Sequence, residues 1–549
     1  MAFVQAMNTP TTTKTGVNGA EVYTEEGVGD YRLTLFTMLN RGLSIDYIES
    51  SVNAIFNKGI HDELRDLFVM AFQTRDIRGG KGEKRLFYDF FSVLYKKDAI
   101  TAEKMVHLIP EYGCWRDLWE LMKLIPEIET SAFKLVRETF KDDLVKCHSS
   151  LESKMSLLAK WIPREGSGRY PGLARKLADF IYDFNGSSMK RMVQYRKDVS
   201  LMNKALKTVE INMCNSTWAD IKPKTVPGQC LKLHTKAFLN KPFKSSSSSD
   251  ELRYPNNPDR MKCREHFQEF VEALKNGTQK AHGANVVMPH ELVKSCLHYD
   301  TSQDERDIIQ GQWESIREET LKFGRLGKCV PMCDFSGSMD GVPKLVSFAL
   351  GILISEINHI SFRNHILSFD STPSWYKFSN NDSLYNKVKS VPSALGQGLS
   401  TNFYKACMRI LDKMVEHRVP VGEEPEDLIV LTDMGYDNAV SLSSGAWPTQ
   451  LNDIRNMFKL NGEKIWGEGN GWKPPRIVIW NLRAEYKDFH ATSEQDGVVQ
   501  LSGWSPSILK VLQQQGIIVS TPFQGMRVTL DDERYDEIRH IWDLTNSRT

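Results

Sequence analysis

Near residue 325 the hydrophobic periodicity of the chain changes, and that change commits it to two kinds of architecture. Before it, apolar residues recur at spacings of three and four in Asp62–Phe72, Leu86–Leu94, Leu118–Leu124, Ala132–Phe140, Leu173–Phe184, Leu201–Glu210 and His266–Leu274. Such spacing lines one face of an α-helix, which must be buried against a neighbour. Short breaks such as Gly79-Gly80-Lys81-Gly82 and Ile109–Gly113 separate the segments. Serial helices with short turns predict a helical-hairpin array or α-solenoid over residues 26–324, without a strict sequence period. Beyond 325, strand-like runs (Val330–Cys333, His365–Phe369, Trp375–Phe378, Leu428–Leu431, Arg476–Asn481) alternate with helical ones (Val342–Ile357, Ser383–Val388, Tyr404–Glu416, Pro506–Gln513). That alternation predicts a parallel sheet covered by helices over residues 325–549.

A chain of 549 residues exceeds a single core, in keeping with this division. The net charge of +1 excludes a chain that is basic throughout, so nucleic-acid binding has to come from local patches. Nine cysteines without C-x-x-C spacing argue for a reducing compartment, not a disulfide framework or a zinc site. Residues 1–25 read as a flexible terminus. Met1–Thr15 is polar and Thr-rich, with no signal-peptide core, and no apolar run is long enough to span a bilayer. A cytoplasmic or nuclear protein without a membrane partner is expected. Ser245–Ser249 reads as a mobile loop, and Gly462–Pro475 as a surface insertion whose Trp466 and Trp472 are either exposed or packed on the loop itself.

Within the α/β half, Asp334-Phe335-Ser336-Gly337-Ser338 follows a strand and places a carboxylate and two hydroxyls at alternate positions. Oxygen donors of this kind suit a hard cation such as Mg²⁺ or Mn²⁺. Gly398–Phe403 and the strand-terminal Asp433 follow in order. Together they resemble the metal-ion-dependent adhesion site of von Willebrand factor A domains. The resemblance implies that Ser336, Ser338 and Thr401 supply hydroxyls to the cation, and that Asp334 and Asp433 act directly or through water. One coordination position would stay open to a partner carboxylate. Pro331 within the first strand and the bulky Phe335 depart from the usual pattern.

Two basic segments stand out in the helical half. Arg75, Arg78, Lys81, Lys84 and Arg85 surround the Gly-rich turn, where backbone N–H groups and cations can meet phosphates. The spacing does not fit a Walker A loop. Lys190, Arg191, Arg196 and Lys197 flank Tyr195, with Lys204 and Lys207 beyond, a helix face with a candidate stacking ring. A solvated face laced with salt bridges competes with that reading for both segments. The residues Arg75–Arg85, Ile109–Leu118, Leu157–Pro163, Tyr195–Ser200, Trp218–Ile221, Val226–Gly228 and Asp433–Asp437 resemble a poorly characterised family of plants, fungi and large DNA viruses. Its members resemble the TROVE module and von Willebrand factor A domain of the Ro ribonucleoprotein autoantigen. The resemblance spans residues 17–520. It implies a HEAT-like helical ring that binds structured or single-stranded-ended noncoding RNA, closed by the A domain. No nucleophile elbow, H-E-x-x-H or paired-carboxylate arrangement points to an enzyme. The alternative is a protein-interaction scaffold that captures a partner carboxylate through the metal, without RNA.

Overall fold

The computed structural model describes residues 12–17, 19, 21–149, 154–183, 186–242, 251–281, 287–298, 301–368, 373–391, 403–435, 447–513 and 519–546. From Tyr31 to Leu321 every described element is a helix, and the first strand of the main sheet begins at Cys329. The expected helices appear with extended ends, for instance His61–Arg75, Lys84–Lys97, Trp115–Leu124, Glu129–His148 and Pro258–Lys275. Leu173–Phe184 is shorter than expected and stops at Ile181. Leu201–Glu210 is not one helix. Ser188–Ala205 ends, Lys207 turns left-handed at φ 49°, and Val209–Asn215 begins a new direction. The Ser245–Ser249 run lies outside the described residues.

The α/β part holds six strands: β3 (Cys329–Cys333), β4 (His365–Ser368), β5 (Ser374–Lys377), β6 (Asp427–Thr432), β7 (Arg476–Asn481) and β8 (Val498–Ser502). They are numbered after a short hairpin of β1 (Thr13–Thr15) and β2 (Glu21–Tyr23). The sheet order is β5-β4-β3-β6-β7-β8, parallel except for the antiparallel edge pair β4–β5. Pro331 is tolerated inside central β3 for a geometric reason. Asp334 donates its N–H to Leu431 of β6, so ladder alternation turns the ring nitrogen of Pro331 toward β4. On that side pairing starts only at Met332, whereas the β3–β6 register runs unbroken from Cys329 to Cys333.

Alternate residues of each strand enter different cores. Val330, Met332, Leu428, Val430, Ile477 and Ile479 join the core built by the helices from Leu33 to Met202 and by Phe403–Glu416. Cys333, Ile429, Leu431, Val478, Trp480 and Leu501 join the one built by Val342–Ile357 and the helices between Val209 and Ile316. The helical part therefore covers both faces of the sheet. Among the elements that sequence reading missed, β8 and the helices Pro522–Leu530 and Asp536–Asn546 tighten this arrangement, and Trp447–Trp466 adds Ile454 and Phe458 to the first core. Pro506–Gln513 is a 3₁₀ turn followed by a single helical turn.

The terminus expected to be flexible is docked where it is described. Val22 is buried, Tyr23 donates its N–H to Phe489 O at 2.8 Å, and Val17 donates to Asp488 Oδ2 at 2.9 Å. In the Gly/Trp/Pro insertion, Trp472 is fully buried and Trp466 is 37% exposed. Both indole N–H groups donate to Val419 O, at 2.9 and 3.0 Å, so the insertion packs on its neighbours. No disulfide links any of the nine cysteines, and no described helix is long and apolar enough to cross a membrane.

Candidate metal centre

The chain leaves β3 toward β4 on one side, while β6 flanks β3 on the other, which makes the β3/β6 boundary the switch point of the sheet. Open α/β sheets take ligands in the crevice beyond the carboxyl ends of such strands. Asp334 directly follows β3 and Asp433 directly follows β6, so the topology brings both carboxylates to that crevice. Asp334 Oδ1 accepts from Ser336 N and Oδ2 from Thr432 Oγ1, both at 2.9 Å. The hydroxyls of Ser336 and Ser338 are 3.0 Å apart. Asp433 Oδ1 accepts from Gly435 N at 3.0 Å, whereas its Oδ2 is buried and accepts no hydrogen bond among the described residues. Phe335 turns away from the crevice and packs edge-on against Phe348, so its bulk does not obstruct the donors.

Burial, followed by the neighbouring Asp433 charge, pushes the Asp334 carboxyl up to about 7, against the pull of its Ser336 and Thr432 hydrogen bonds. Burial also raises Asp433, opposed by the Ser338 hydroxyl, the Gly435 N–H and Arg483. Two buried carboxylates, two hydroxyls and an orphaned carboxylate oxygen form a donor set that fits a hard divalent cation. Thr401, with the rest of Gly398–Asn402, lies outside the described residues, as do Tyr436 and Asp437.

Sequence reading missed Thr432, Arg483 and Tyr486. Thr432 holds Asp334, and its place one residue before Asp433 at a strand end was the available signal. Arg483 donates to the Ser338 carbonyl from the loop after β7, a long-range contact with no local signature. A side chain at Gly435 would sit 3.0 Å from the Tyr486 ring, so this turn approaches the loop closely. The preceding Met434 is left-handed, at φ 70°.

The Gly-rich basic segment is not the surface its composition suggested. Arg75 is 1% exposed and locked to Asp117 at 2.7 Å, and Tyr88 OH donates to the same carboxylate at 2.5 Å. Lys81 is equally buried, and its ammonium donates to Phe36 O, Leu39 O and Ser502 Oγ at 3.2, 2.9 and 2.5 Å. The glycines serve the turn's own packing, since a side chain at Gly80 would lie 2.0 Å from Gln73 O. Arg78, Lys84 and Arg85 remain exposed, and Arg85 pairs with Asp89. Arg75 and Lys81 are thus corrected from phosphate ligands to interior staples.

Tyr195 is corrected likewise. It is 1% exposed, stacks on Phe140 and donates to Pro163 O at 2.7 Å, so no base can reach its face. Arg191 pairs with Asp179 at 2.7 Å and Arg196 with Glu165 at 2.6 Å. Lys190 and Lys197 stay exposed on the same helix as Lys204. Residues 328–541, which carry the candidate metal centre, match the model of a domain of unknown function, DUF7788. The chain is also similar to an uncharacterized protein of Acanthamoeba polyphaga mimivirus, 25% identical over 514 residues that cover 90% of this chain and 83% of that protein. That likeness extends through the helical part as well as the α/β part.

Proposed function

We propose that the chain is an RNA-binding scaffold with a divalent-metal centre, its helical part TROVE-like and its α/β part a von Willebrand factor A domain. The strand order, with the first strand of the sheet at the centre, an antiparallel edge and the donors at the switch point, supports the A-domain reading. The observation that carries RNA binding is a lysine stripe. Lys190, Lys197 and Lys204 are exposed at seven-residue intervals on Ser188–Ala205 and have no ion-pair partner among the described residues. Lys204 continues with Lys207 and Lys222 into a cleft of about 690 Å³ beside the Val209–Asn215 helix. Unpaired cations along a groove attract a phosphate backbone without reading its sequence.

Asp334, Ser336, Ser338 and Asp433 would hold Mg²⁺ or Mn²⁺, with Thr401 as the further donor that the resemblance supplies. A bound cation neutralises the paired carboxylates and offers an open position to a partner carboxylate. The orphaned Asp433 oxygen in the crevice favours this as a second reading, a protein-interaction scaffold. Filter binding separates the two. Replacing Lys190, Lys197 and Lys204 together by Gln should weaken binding to unrelated RNAs alike and flatten the salt dependence, while Asp334→Ala leaves RNA affinity intact. Wild-type affinity no tighter than about 10⁻⁵ M at low salt, within the weak nonspecific range, would leave the protein-interaction reading in its place.

A further inference from the structure

A second cleft, of about 800 Å³, opens between the end of the Gln303–Leu321 helix and the β4–β5 edge of the sheet. Five cations line it, Arg317, Arg325, Arg363, Lys377 and Lys387, against the single carboxylate of Glu356. Glu356 is committed below the surface. It accepts from Lys387 at 2.7 Å and Trp313 Nε1 at 2.9 Å, and Arg317 stands 3.8 Å away. The Lys387–Glu356 pair is buried, with side chains 4% and 6% exposed. Asn364, left-handed at φ 59°, ties this floor to the wall: its amide donates to Asn380 Oδ1 at 2.6 Å and its carbonyl accepts from Phe378 N at 2.9 Å.

The remaining cations have no anion to meet. Arg325, Arg363 and Lys377 form no ion pair among the described residues, and the Nε of Arg363 is buried without an acceptor. A guanidinium carries five donors, and those on the terminal nitrogens of Arg363 have no hydrogen bond among the described residues, which leaves them for an anion in the cleft. Like charges gathered in a concave, partly desolvated wall also focus the potential outward into the cavity. The structure assigns this cleft as a binding site for a phosphate-bearing ligand with two or more negative charges, gripped by Arg363 with Arg325 and Lys377. A phosphate fits better than a carboxylate because the excess is four positive charges and the arginine fork meets phosphate oxygens bidentately. The volume is that of a nucleotide-sized group. The same chemistry is offered by a free polyphosphate and by the phosphorylated end of an RNA.

Calorimetry on the full chain at low salt, with inorganic pyrophosphate, ATP, and a short single-stranded RNA bearing either a 5′-triphosphate or a 5′-hydroxyl, tests the assignment and its source. Binding of pyrophosphate or ATP identifies a free phosphate ligand, and binding of the 5′-triphosphate RNA alone identifies an RNA end. In either case Arg363→Gln and Arg325→Gln should each weaken the interaction about tenfold or more. Arg363→Gln should not lower the ligand-free melting temperature, because the guanidinium has no hydrogen bond or ion pair among the described residues to lose. Arg325 is exposed, so its variant carries the test if the other misfolds. The triple Gln variant of Lys190, Lys197 and Lys204 should leave pyrophosphate affinity unchanged, which separates this site from the lysine stripe. The assignment falls if none of the phosphate probes binds at about 1 mM, or if the Arg325→Gln, Arg363→Gln double variant binds them as wild type does.

Discussion

At the scale of the residue, buried charge decides what each site can be. Burial holds both Asp334 and Asp433 above the usual carboxylate range, and the Asp433 charge raises Asp334 further. Asp433→Asn should therefore stabilise the metal-free protein by roughly 1 kcal/mol, by removing the like charge. The same variant should lose the rise in melting temperature that Mg²⁺ gives the wild type, and thermal melts in EDTA and in Mg²⁺ read both effects. Lys81 has the opposite sign. Burial lowers its ammonium to about 7, so between about pH 7 and the ordinary lysine value the unfolded chain binds more protons than the folded one. Stability from this group is reduced below pH 7 and recovered as pH rises above it. Relative to Lys81→Met, wild type should gain up to about 1.4 kcal/mol per pH unit from pH 7.5 to 9, measured by urea unfolding. Equal slopes for the two proteins would mean that Lys81 does not change protonation on folding. The motif around Asp334 was legible because strand-terminal donors are local in sequence. Lys81 was misread because a cation next to glycines looks alike whether it meets a phosphate or three interior oxygens contributed by Phe36, Leu39 and Ser502.

At the scale of the element, periodicity located five of the six sheet strands and many helices, but not the long Ile45–Lys58, Gln303–Leu321 and Trp447–Trp466, although a buried face imposes its spacing wherever it lies. β8 escaped because Val498–Ser502 carries Gln500 in its middle and pairs only through β7. Close approach between elements was also invisible to periodicity. Gly351 lies in the middle of Val342–Ile357 against β3, and an added Cβ would stand 2.3 Å from Cys333 Sγ. Alanine usually favours a helix over glycine by about 1 kcal/mol. Here Cys333 is fully buried and cannot withdraw, so Gly351→Ala should instead destabilise by about 1–3 kcal/mol. Cys333→Ala in the same chain should recover part of that loss. Simple addition of the two single effects, measured by denaturant unfolding, would refute the contact.

At the scale of the molecule, the change in periodicity near residue 325 marks where element type changes, but not where the structure comes apart. The sheet sends alternate side chains into two cores, and both are completed by helices from the first half of the chain. Asn40 and Asn481 exchange side-chain amide bonds with the opposite backbone, Asn40 to Asn481 O at 2.7 Å and Asn481 to Thr37 O at 3.0 Å. Near the other end of the chain, Arg534 grips Asp76, which is fully buried at the start of the Gly-rich turn, and Tyr112 donates to Arg534 O at 2.6 Å. Removing the α/β part would leave that carboxylate without its cation and expose the apolar face that covers β3, β6 and β7. Residues 26–324 expressed alone should therefore lack cooperative unfolding and bind a hydrophobic dye. The full chain should unfold in one transition, with agreeing calorimetric and van't Hoff enthalpies. Arg534→Ala should cost about 3–5 kcal/mol, the penalty for stranding a buried charge, and should lower that single transition as a whole. Two resolved transitions in the wild type, with only one moved by Arg534→Ala, would mean that the halves fold independently and that the shared cores contribute little to holding them together.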